Sequence, residues 1–508
     1  MYQVIMIFCL TIYIVSSIFL MMYGLHCYAM LFLFYRRQKR CRSEIGKRIE
    51  EFYSTTKQED FPFVTIQLPV YNESEVVLRL IESALNIDYP KDKFEIQVVD
   101  DSTDETVKII DNAIAQIRKE KTIDIYAVRR SNREHFKAGA LANALKHAKG
   151  EYAAIFDSDF IIPANFLKRS MAQIHPDKKM ACIQGRWGHL NRYENWITMA
   201  QSIGIDGHFA AEQGARSYNG LCMNFNGTAG VWRISAIDAV GGWSGDTLTE
   251  DLDLSYRVQL YGYHISYDFD LVCPAELPNN VVALKSQQKR WAKGSIETAI
   301  KLMPEIIKSK QLSFGQKLEA FIHLTHYSVA LLMVILSVFT LPVLMMVPKI
   351  DLGFMLPILW TVIIISALAP CSLYTGSGIL LKKGLFSISN FPTMIAVGTG
   401  LCINNSIAVL EAIFGQKSEF VRTPKSGSSD SKSRKGKYKV NSKIIPAVLE
   451  IGLGLYCAYT FAIYVGEAKY FFGFFIGAYA VGLIVFGVKT IAHILAESGM
   501  IGKKETID

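Results

Sequence analysis

The sequence predicts two kinds of structure in one chain, an α/β domain with a mostly parallel sheet and a bundle of membrane-spanning α-helices. Of the 508 residues, 50% are apolar, and these concentrate near the N-terminus and in the C-terminal part of the chain. Between them lies a charged segment in which short β-branched runs alternate with helical patterns. Long apolar runs are typical of membrane spans, whereas this alternation is typical of βαβ units and hence of a parallel sheet.

The first element is an almost uncharged run at residues 4–34, which exceeds the roughly 20 residues that one span needs. We predict that residues 1–35 form a transmembrane helix rather than a cleaved signal peptide, because the run is long and the positive charges follow it. These charges begin at Arg36 and end at Arg40. We expect them to stay in the cytosol, which leaves the N-terminus outside.

Residues 36–283 are expected to form a cytosolic domain. Five runs within it have the length and β-branched content of strands, at residues 64–68, 96–99, 123–128, 152–156 and 181–184. In parallel sheets ligands bind beyond the carboxyl ends of the strands, where the loops meet. A functional site is therefore expected at that edge.

The C-terminal boundaries follow from apolar and basic segments. We predict amphipathic interface helices, two transmembrane helices, an interfacial or re-entrant segment, a basic cytosolic linker, two more transmembrane helices and a cytosolic tail at residues 284–320, 321–383, 384–415, 416–443, 444–495 and 496–508, respectively. A crossing at 384–415 would put the basic linker outside. That segment also carries Asn404, Asn405 and Glu411, which are costly in lipid.

The net charge of +8 arises beside apolar segments, as in the run from Lys432 to Lys439. This placement indicates membrane topology and argues against nucleic-acid binding. The nine cysteines show no C-x-x-C pair or other metal-ligand spacing. We expect them to be reduced and to act as small apolar residues.

Two acidic pairs end predicted strands. Asp157 and Asp159 directly follow one strand, and Asp100 and Asp101 follow another. Mg²⁺ and Mn²⁺ prefer carboxylate and phosphate oxygens, so we expect Asp157 and Asp159 to hold such a metal together with a diphosphate. An isolated D-x-D pair is common in surface turns, and Asp101 could cap a helix. Two pairs at one sheet edge favour a ligand site.

Further positions suit the parts of a nucleotide-linked sugar. Pro69, Tyr71 and Glu73 close the first strand and offer an aromatic face and a carboxylate to a nucleobase, although a plain turn uses similar residues. Lys137 precedes an Ala-rich helix and could meet a diphosphate from the sheet edge. The alternative for a lone lysine is ordinary surface charge.

Asp251 begins a helix-like segment and is a candidate general base for an acceptor hydroxyl, the alternative being a helix cap. Arg290 and Trp291 lie where the soluble domain gives way to membrane helices. We expect Arg290 to hold the diphosphate and Trp291 to stack on the acceptor sugar. The alternatives are a snorkelling cation and an interfacial anchor.

Taken together, several stretches resemble the processive membrane members of glycosyltransferase family 2, which include cellulose synthases and hyaluronan synthases. The stretches are QVVDDSTD from Gln97, FDSDF from Phe156, FNGTAGVWRISA from Phe225, GGW from Gly241 and QxxRW from Gln287. The chain is most similar to plant mannan-synthase-like proteins and bacterial relatives, over most of residues 62–425. The resemblance implies an A-type glycosyltransferase domain, Rossmann-like with a mostly parallel sheet, joined to a transmembrane helix bundle.

By this resemblance Asp100 or Asp101 contacts the nucleoside, Asp157 and Asp159 contact the sugar diphosphate and metal, and Asp251 is the base. The acceptor-binding residues it implies are Trp291, Glu250, Asn226, Gly227, Thr228 and Gln287. A segment that resembles the cellulose synthase gating loop contains Phe420, Arg422, Thr423 and Lys425. Arg422 and Pro424 replace the usual neighbours there, and an ordinary basic linker is the alternative.

The resulting expectation is an inverting, metal-dependent processive glycosyltransferase. It would use a UDP- or GDP-linked sugar and Mg²⁺ or Mn²⁺ to build a β-1,4-glucan or mannan type of polysaccharide and pass it across a plasma membrane or Golgi-type membrane. The first alternative is a non-processive enzyme that glycosylates a membrane lipid. The second is an export or sugar-sensing protein with a degenerate transferase domain, against which the full set of acidic residues argues. The sequence does not indicate an oligomeric state.

Overall fold

A computed structural model describes residues 2–120, 123–346, 355–384, 386–417 and 444–497. The positions predicted for a gating loop, Phe420, Arg422, Thr423 and Lys425, lie outside the described residues. All nine cysteines are unpaired.

A seven-stranded sheet forms the centre of the soluble domain. Its strands are β1 (Val64–Val70), β2 (Phe94–Asp100), β3 (Asp124–Val128), β4 (Tyr152–Ile155), β5 (Met180–His189), β6 (Gly230–Arg233) and β7 (His264–Ala275). The strand order is β3-β2-β1-β4-β6-β5-β7, and only β6 runs antiparallel to its neighbours. The prediction of a mostly parallel sheet is therefore confirmed, although β6 and β7 were not among the predicted strands.

Helices cover both faces of the sheet. The first and longest is α1 (Tyr2–Thr55), and the helices of the soluble domain are α2 (Val77–Leu85), α3 (Thr106–Glu120), α4 (Phe136–Leu145), α5 (Phe166–Ile174), α6 (Trp196–Gly207), α7 (Gln213–Tyr218), α8 (Ile234–Asp238) and α9 (Glu250–Tyr261). A π-helical turn at His208–Glu212 joins α6 to α7. One apolar core lies between the sheet and α2, α3 and α5, and a second lies between the sheet and α4, α7 and α9.

The C-terminal part of the described chain is entirely helical. It consists of α10 (Val281–Lys308), α11 (Phe314–Thr325), α12 (Ser328–Met346), α13 (Met355–Leu380), α14 (Phe386–Ser389), α15 (Phe391–Gly400), α16 (Cys402–Ile413), α17 (Ile444–Gly466) and α18 (Tyr470–Glu497). Six stretches of the described chain are long and apolar enough to cross a membrane: Val4–Thr55, Ser328–Met345, Thr361–Leu380, Phe391–Ile413, Ile444–Gly466 and Gly473–Glu497.

The first helix does not end with the predicted span at residue 35. It continues to Thr55 because its second half carries an apolar stripe, including Ile49 and Phe52, which belongs to the first apolar core and packs on α5. Upstream, Phe34 is fully buried against Tyr218 and Phe269 of the soluble domain. One continuous helix therefore runs from the apolar N-terminal stretch into the apolar core of the α/β domain.

The segment predicted to be interfacial or re-entrant contains three short helices, α14, α15 and α16, rather than one long one. Helix α15 packs on α18 and α6, and α16 packs on α10 and α12. Asn404 of α16 donates to the carbonyl oxygen of Lys285 at 3.0 Å and to the side chain of Asn405 at 3.0 Å. These polar groups therefore face protein, while the topology of the segment stays a prediction.

Candidate active site

The carboxyl ends of β1, β2 and β4 meet at one edge of the sheet. β1 pairs in parallel with both β2 and β4, so the loops that follow these three strands are neighbours. Val70 is paired with Asp100 across β1 and β2. The fold therefore gathers polar residues from three distant parts of the sequence at one edge.

The first acidic pair is held by two consecutive arginines that follow β3. The guanidinium of Arg130 binds both oxygens of Asp101, at 2.6 and 2.9 Å. Asp100 is only 2% exposed and accepts hydrogen bonds from Arg129 at 2.8 Å and from the Ser102 backbone N–H at 2.9 Å. The sequence reasoning missed both arginines, although two basic residues directly after a neighbouring parallel strand were a usable signal.

The end of β1 brings an aromatic ring close to a buried carboxylate. The guanidinium of Arg133 stacks over the Tyr71 ring at 3.3 Å, which fixes the plane of the ring. Glu73 is buried, and one carboxylate oxygen lies 3.5 Å from the Tyr71 backbone nitrogen. Pro69 lies within the strand opposite Val99. Asn72, which lies between Tyr71 and Glu73, adopts a left-handed φ of 53°, so the chain turns sharply here.

Lys137 binds directly to two of the other predicted residues, Asp157 and Gly227. Its Nζ donates to Asp157 Oδ1 at 2.5 Å and to the Gly227 carbonyl oxygen at 2.8 Å. The Asp157 backbone N–H donates to the Thr228 hydroxyl at 2.8 Å. The lysine is half-buried, so the interpretation as ordinary surface charge does not describe it. The positive φ values of His135 and Phe136 shape the turn from which Lys137 enters α4.

Asp251 lies in the first turn of α9, against the same loop. A methyl group placed on Gly227 would come within 2.9 Å of Asp251 Oδ2, so carboxylate and loop are in close contact. Burial and, to a lesser extent, the charge of Glu250 raise the pKa of Asp251 to about 7, while Lys137, the Leu252 backbone N–H and Arg290 act in the opposite direction. The carboxylate is therefore poised to exchange a proton near neutral pH.

The QxxRW stretch lies within α10, between the soluble domain and the membrane helices. Helix α10 packs on α9 on one side and on α16 on another. Gln287, Arg290 and Trp291 are all half-buried. Arg290 is near enough to Asp251 to lower its pKa, which brings this helix to the same site.

The side chain of Asn226 contacts two residues that the sequence analysis did not single out, His208 and Gln213. Its amide nitrogen lies 3.1 Å from His208 Nε2, and its amide oxygen accepts from Gln213 at 2.5 Å. His208 belongs to the π-helical turn before α7. Short π-helical turns often mark functional positions, but the sequence pattern does not distinguish them from ordinary α-helix.

Asp157 and Asp159 remain the candidate metal ligands, and both are half-buried rather than sealed in the core. The described residues contain no group of three or more His, Cys, Asp or Glu side chains arranged to hold a metal. Two carboxylates beside an open edge nevertheless fit Mg²⁺ or Mn²⁺, because such sites take their other ligands from substrate phosphates and water.

Comparison with known proteins identifies the domain. Residues 65–237 match the model of "Glycosyl transferase family 2". The chain carries a glycosyltransferase family 2 domain. Residues 152–371 also match "Glycosyl transferase family group 2", which extends the similarity beyond the family 2 domain into the membrane helices. The Rossmann-like, A-type fold expected from the resemblance is thus confirmed.

The family 2 domain has relatives in plants. The chain is 41% identical to "Probable glucomannan 4-beta-mannosyltransferase 11" of Oryza sativa subsp. japonica over 261 residues, which is 51% of this chain and 46% of that protein. It is 40% identical to "Glucomannan 4-beta-mannosyltransferase 2" of Arabidopsis thaliana over 261 residues, or 51% of this chain and 49% of the relative. The chain thus spans about half the length of the curated relatives it matches.

Among solved structures, the chain is similar to the mannosyltransferase PcManGT from Pyrobaculum calidifontis in complex with GDP-Man and Mn²⁺. The TM-score is 0.48 and the sequence identity 18%, with 78% of this chain and 100% of that chain covered.

Proposed function

We propose that this protein is an inverting, metal-dependent glycosyltransferase that extends a β-1,4-linked polysaccharide of the mannan type from GDP-mannose. The observation that carries the proposal is the convergence of Lys137, Asp157 and Gly227 with Asp251 at one sheet edge. A sugar diphosphate and an acceptor hydroxyl need this combination of a cation, metal-binding carboxylates and a base within one small space.

The donor would lie along the strand ends. Tyr71, stacked under Arg133, and the buried Glu73 suit the nucleobase, and Asp101 would face the nucleoside from the next loop. Asp157 and Asp159 would hold Mg²⁺ or Mn²⁺, which when bound neutralises the charge that develops on the departing diphosphate. Lys137 and Arg290 supply further positive charge on the same side of the sugar.

Asp251 would remove the proton from the acceptor hydroxyl. Burial raises its pKa to about 7, which makes it a stronger base than an ordinary carboxylate and leaves a large fraction deprotonated at neutral pH. A single base serves one direct displacement at the anomeric carbon. One displacement inverts the configuration, so an α-linked donor gives a β-linked product.

The acceptor would approach between α9 and α10. Glu250, Gln287 and Trp291 lie on these two helices, and the loop of Asn226, Gly227 and Thr228 lies beside the base. The names of the plant relatives, glucomannan 4-beta-mannosyltransferases, support mannose as the transferred sugar and a β-1,4-linked chain as the acceptor.

The helices support an integral membrane enzyme. The N-terminus would face outward and the family 2 domain the cytosol of a plasma membrane or Golgi-type membrane, because the basic residues from Arg36 to Arg40 follow the first span. The interface helix α10 would deliver the growing chain from the site to the membrane helices. Processive synthesis and translocation are part of this proposal.

The test uses purified full-length protein in nanodiscs. With GDP-mannose, Mn²⁺ and β-1,4-mannohexaose, we expect products longer by several mannose units, which mass spectrometry resolves. Parallel reactions replace GDP-mannose with UDP-glucose, replace Mn²⁺ with Mg²⁺, or add a metal chelator. Transfer of a single sugar to lipid would overturn the polysaccharide proposal, and the absence of turnover with every donor would overturn the transferase function.

A further inference from the structure

A chain of hydrogen bonds holds Asn226 on both sides. Gln213 Nε2 donates to the Asn226 amide oxygen at 2.5 Å and to the Asn224 carbonyl oxygen at 2.9 Å. On the other side, Asn226 Nδ2 lies 3.1 Å from His208 Nε2, and His208 Nδ1 lies 3.0 Å from Glu212 Oε2. The Asn226 side chain is thus held between Gln213 on one side and His208 on the other.

Only one pattern of donors and acceptors satisfies this chain. A backbone carbonyl can only accept, so the amide nitrogen of Gln213 must face Asn224 and must also face Asn226. The Asn226 oxygen is then turned to Gln213 and its NH₂ group to His208. His208 Nε2 must therefore accept, which leaves the ring proton on Nδ1, where it donates to Glu212.

The π-helical turn places His208 and Glu212 on one face, four residues apart. Behind them, Arg216 lies 3.5 Å from Glu212 and 2.7 Å from Glu319 of α11. Three histidines of neighbouring elements lie near this charged group: His26 of α1, His323 of α11, and His326 between α11 and α12. The pKa of Glu212 is held well below its usual range, although burial opposes this, because His208 and Arg216 favour the charged form.

These hydrogen bonds act on the loop that touches the reacting groups. Immediately after Asn226, the Gly227 carbonyl oxygen accepts from Lys137, and the Thr228 hydroxyl accepts from the Asp157 backbone N–H. Gly227 also lies against the Asp251 carboxylate. A displacement of Asn226 would therefore move the base, the lysine and the donor-side carboxylate relative to one another.

We propose that His208 is a positioning residue for glycosyl transfer, which fixes the loop Phe225–Thr228 beside Asp251 by accepting a hydrogen bond from Asn226. This inference rests on the proposed function. His208 acts through Asn226, so its loss is expected to impair transfer to the acceptor more than binding of the nucleotide.

The first experiment compares His208→Phe, His208→Gln and, as a control, His264→Phe. Phenylalanine keeps a flat ring but neither accepts nor donates, whereas glutamine can accept from Asn226 and donate to Glu212. His264 pairs with Asp177 at the opposite end of the sheet. In nanodiscs with GDP-mannose and Mn²⁺, kcat/KM for mannohexaose should fall roughly 10- to 100-fold in His208→Phe. It should recover in His208→Gln and stay unchanged in the control, and Kd for GDP should change less than about twofold in all three.

A second measurement does not depend on turnover. Hydrogen exchange of the backbone at residues 224–228 should be faster in His208→Phe than in the wild type, and should be slowed again in His208→Gln. Wild-type kcat/KM or wild-type exchange in His208→Phe would overturn the proposal, as would a glutamine variant as impaired as phenylalanine. If the wild-type protein transfers no sugar, the proposed function fails, and the exchange arm alone decides whether His208 holds the loop.

Discussion

At the scale of single residues, the position of Asp251 in the first turn of α9 determines both its hydrogen bond and its pKa. As a helix-starting acidic residue it could have been only a cap, and its Oδ1 does accept from the Leu252 backbone N–H at 2.9 Å. The same carboxylate faces the Gly227 loop, where burial and Glu250 raise its pKa to about 7. One carboxylate oxygen of Asp251 thus binds the first turn of α9, while the other lies against the Gly227 loop.

Asp251→Asn removes the base and keeps the shape of the side chain. We expect the rate of sugar transfer to fall by about 10²- to 10⁴-fold, the range that general base catalysis contributes. Affinity for GDP should stay nearly constant, because in the proposed site the nucleotide binds at the strand ends. Asp246→Asn, which changes an exposed aspartate in the loop before α9, is the control. Wild-type turnover in Asp251→Asn would show that another group is the base.

The pH dependence of transfer should report the same carboxylate. Asp251 works only when deprotonated, so kcat/KM should rise with pH and reach half of its plateau near its pKa of about 7. Glu250→Gln removes a negative charge that raises this pKa, so the midpoint should move to lower pH even if the rate also falls. The measurement is kcat/KM between about pH 5 and about pH 9. An unshifted midpoint would contradict the assignment.

At the scale of elements, the loop Phe225–Thr228 contacts Lys137 and Asp157 and also lies against Asp251. Gly227 has a φ of +81°, which side chains rarely allow, and its Cα faces the Asp251 carboxylate. The loop precedes β6, the one antiparallel strand of the sheet. This reversal turns the chain back across the sheet edge and carries the loop over the ends of the parallel strands.

Gly227→Ala should separate backbone strain from contact with the base. The new methyl group would lie 2.9 Å from Asp251 Oδ2, so the carboxylate must move, and activity should fall by roughly 10²-fold. Gly241→Ala is the matched control, since φ is +84° there and open space surrounds the added group. Both variants should lose similar thermal stability. Equal activity in the two variants would show that the contact is unimportant.

Much of this architecture could be predicted from sequence, because it depends on local patterns. Each of the five predicted strands contains at least one β-branched residue within a short apolar run, and β1, β2 and β4 are fully or almost fully buried. β6 has a glycine and an arginine at its two ends, and β7 alternates polar with apolar residues, so neither has such a run. The acidic pairs could be found because each ends a strand.

The partners of the site residues were harder to predict. His208 meets Asn226 across 18 positions of sequence, and Arg130 meets Asp101 across 29. Such pairings depend on strand order and on the π-helical turn, neither of which has a local sequence pattern. The sequence thus contains the reacting groups, while the groups that hold them become visible only in three dimensions.

At the scale of the whole molecule, a buried ion pair joins the interface helix to the membrane bundle. Lys285 of α10 lies 2.7 Å from Glu450 of α17, and its Nζ also donates to Thr490 of α18 at 3.1 Å. Glu450 is fully buried and Lys285 nearly so. The pair therefore holds α10, which carries Arg290 and Trp291, against the last two helices.

Lys285→Met leaves Glu450 without its cation, which we expect to cost about 3–5 kcal/mol of stability. Lys285→Met/Glu450→Leu replaces both charges with apolar groups and should recover most of that loss. The measurement is thermal unfolding in detergent or nanodiscs. Lys469→Met, which breaks the exposed pair with Glu467, should change stability by less than about 1 kcal/mol. A double variant no more stable than the single one would contradict this account.

The length of α1 has a consequence for where the enzyme works. Its 54 residues extend about 80 Å at 1.5 Å per residue, more than twice the roughly 30 Å of a hydrocarbon core. The same rigid rod packs on α12 and α13 and on α5 and α7. If the upstream half spans a bilayer as proposed, we expect a thicker or thinner bilayer to tilt the whole helix and so to change the height of the proposed site above the membrane.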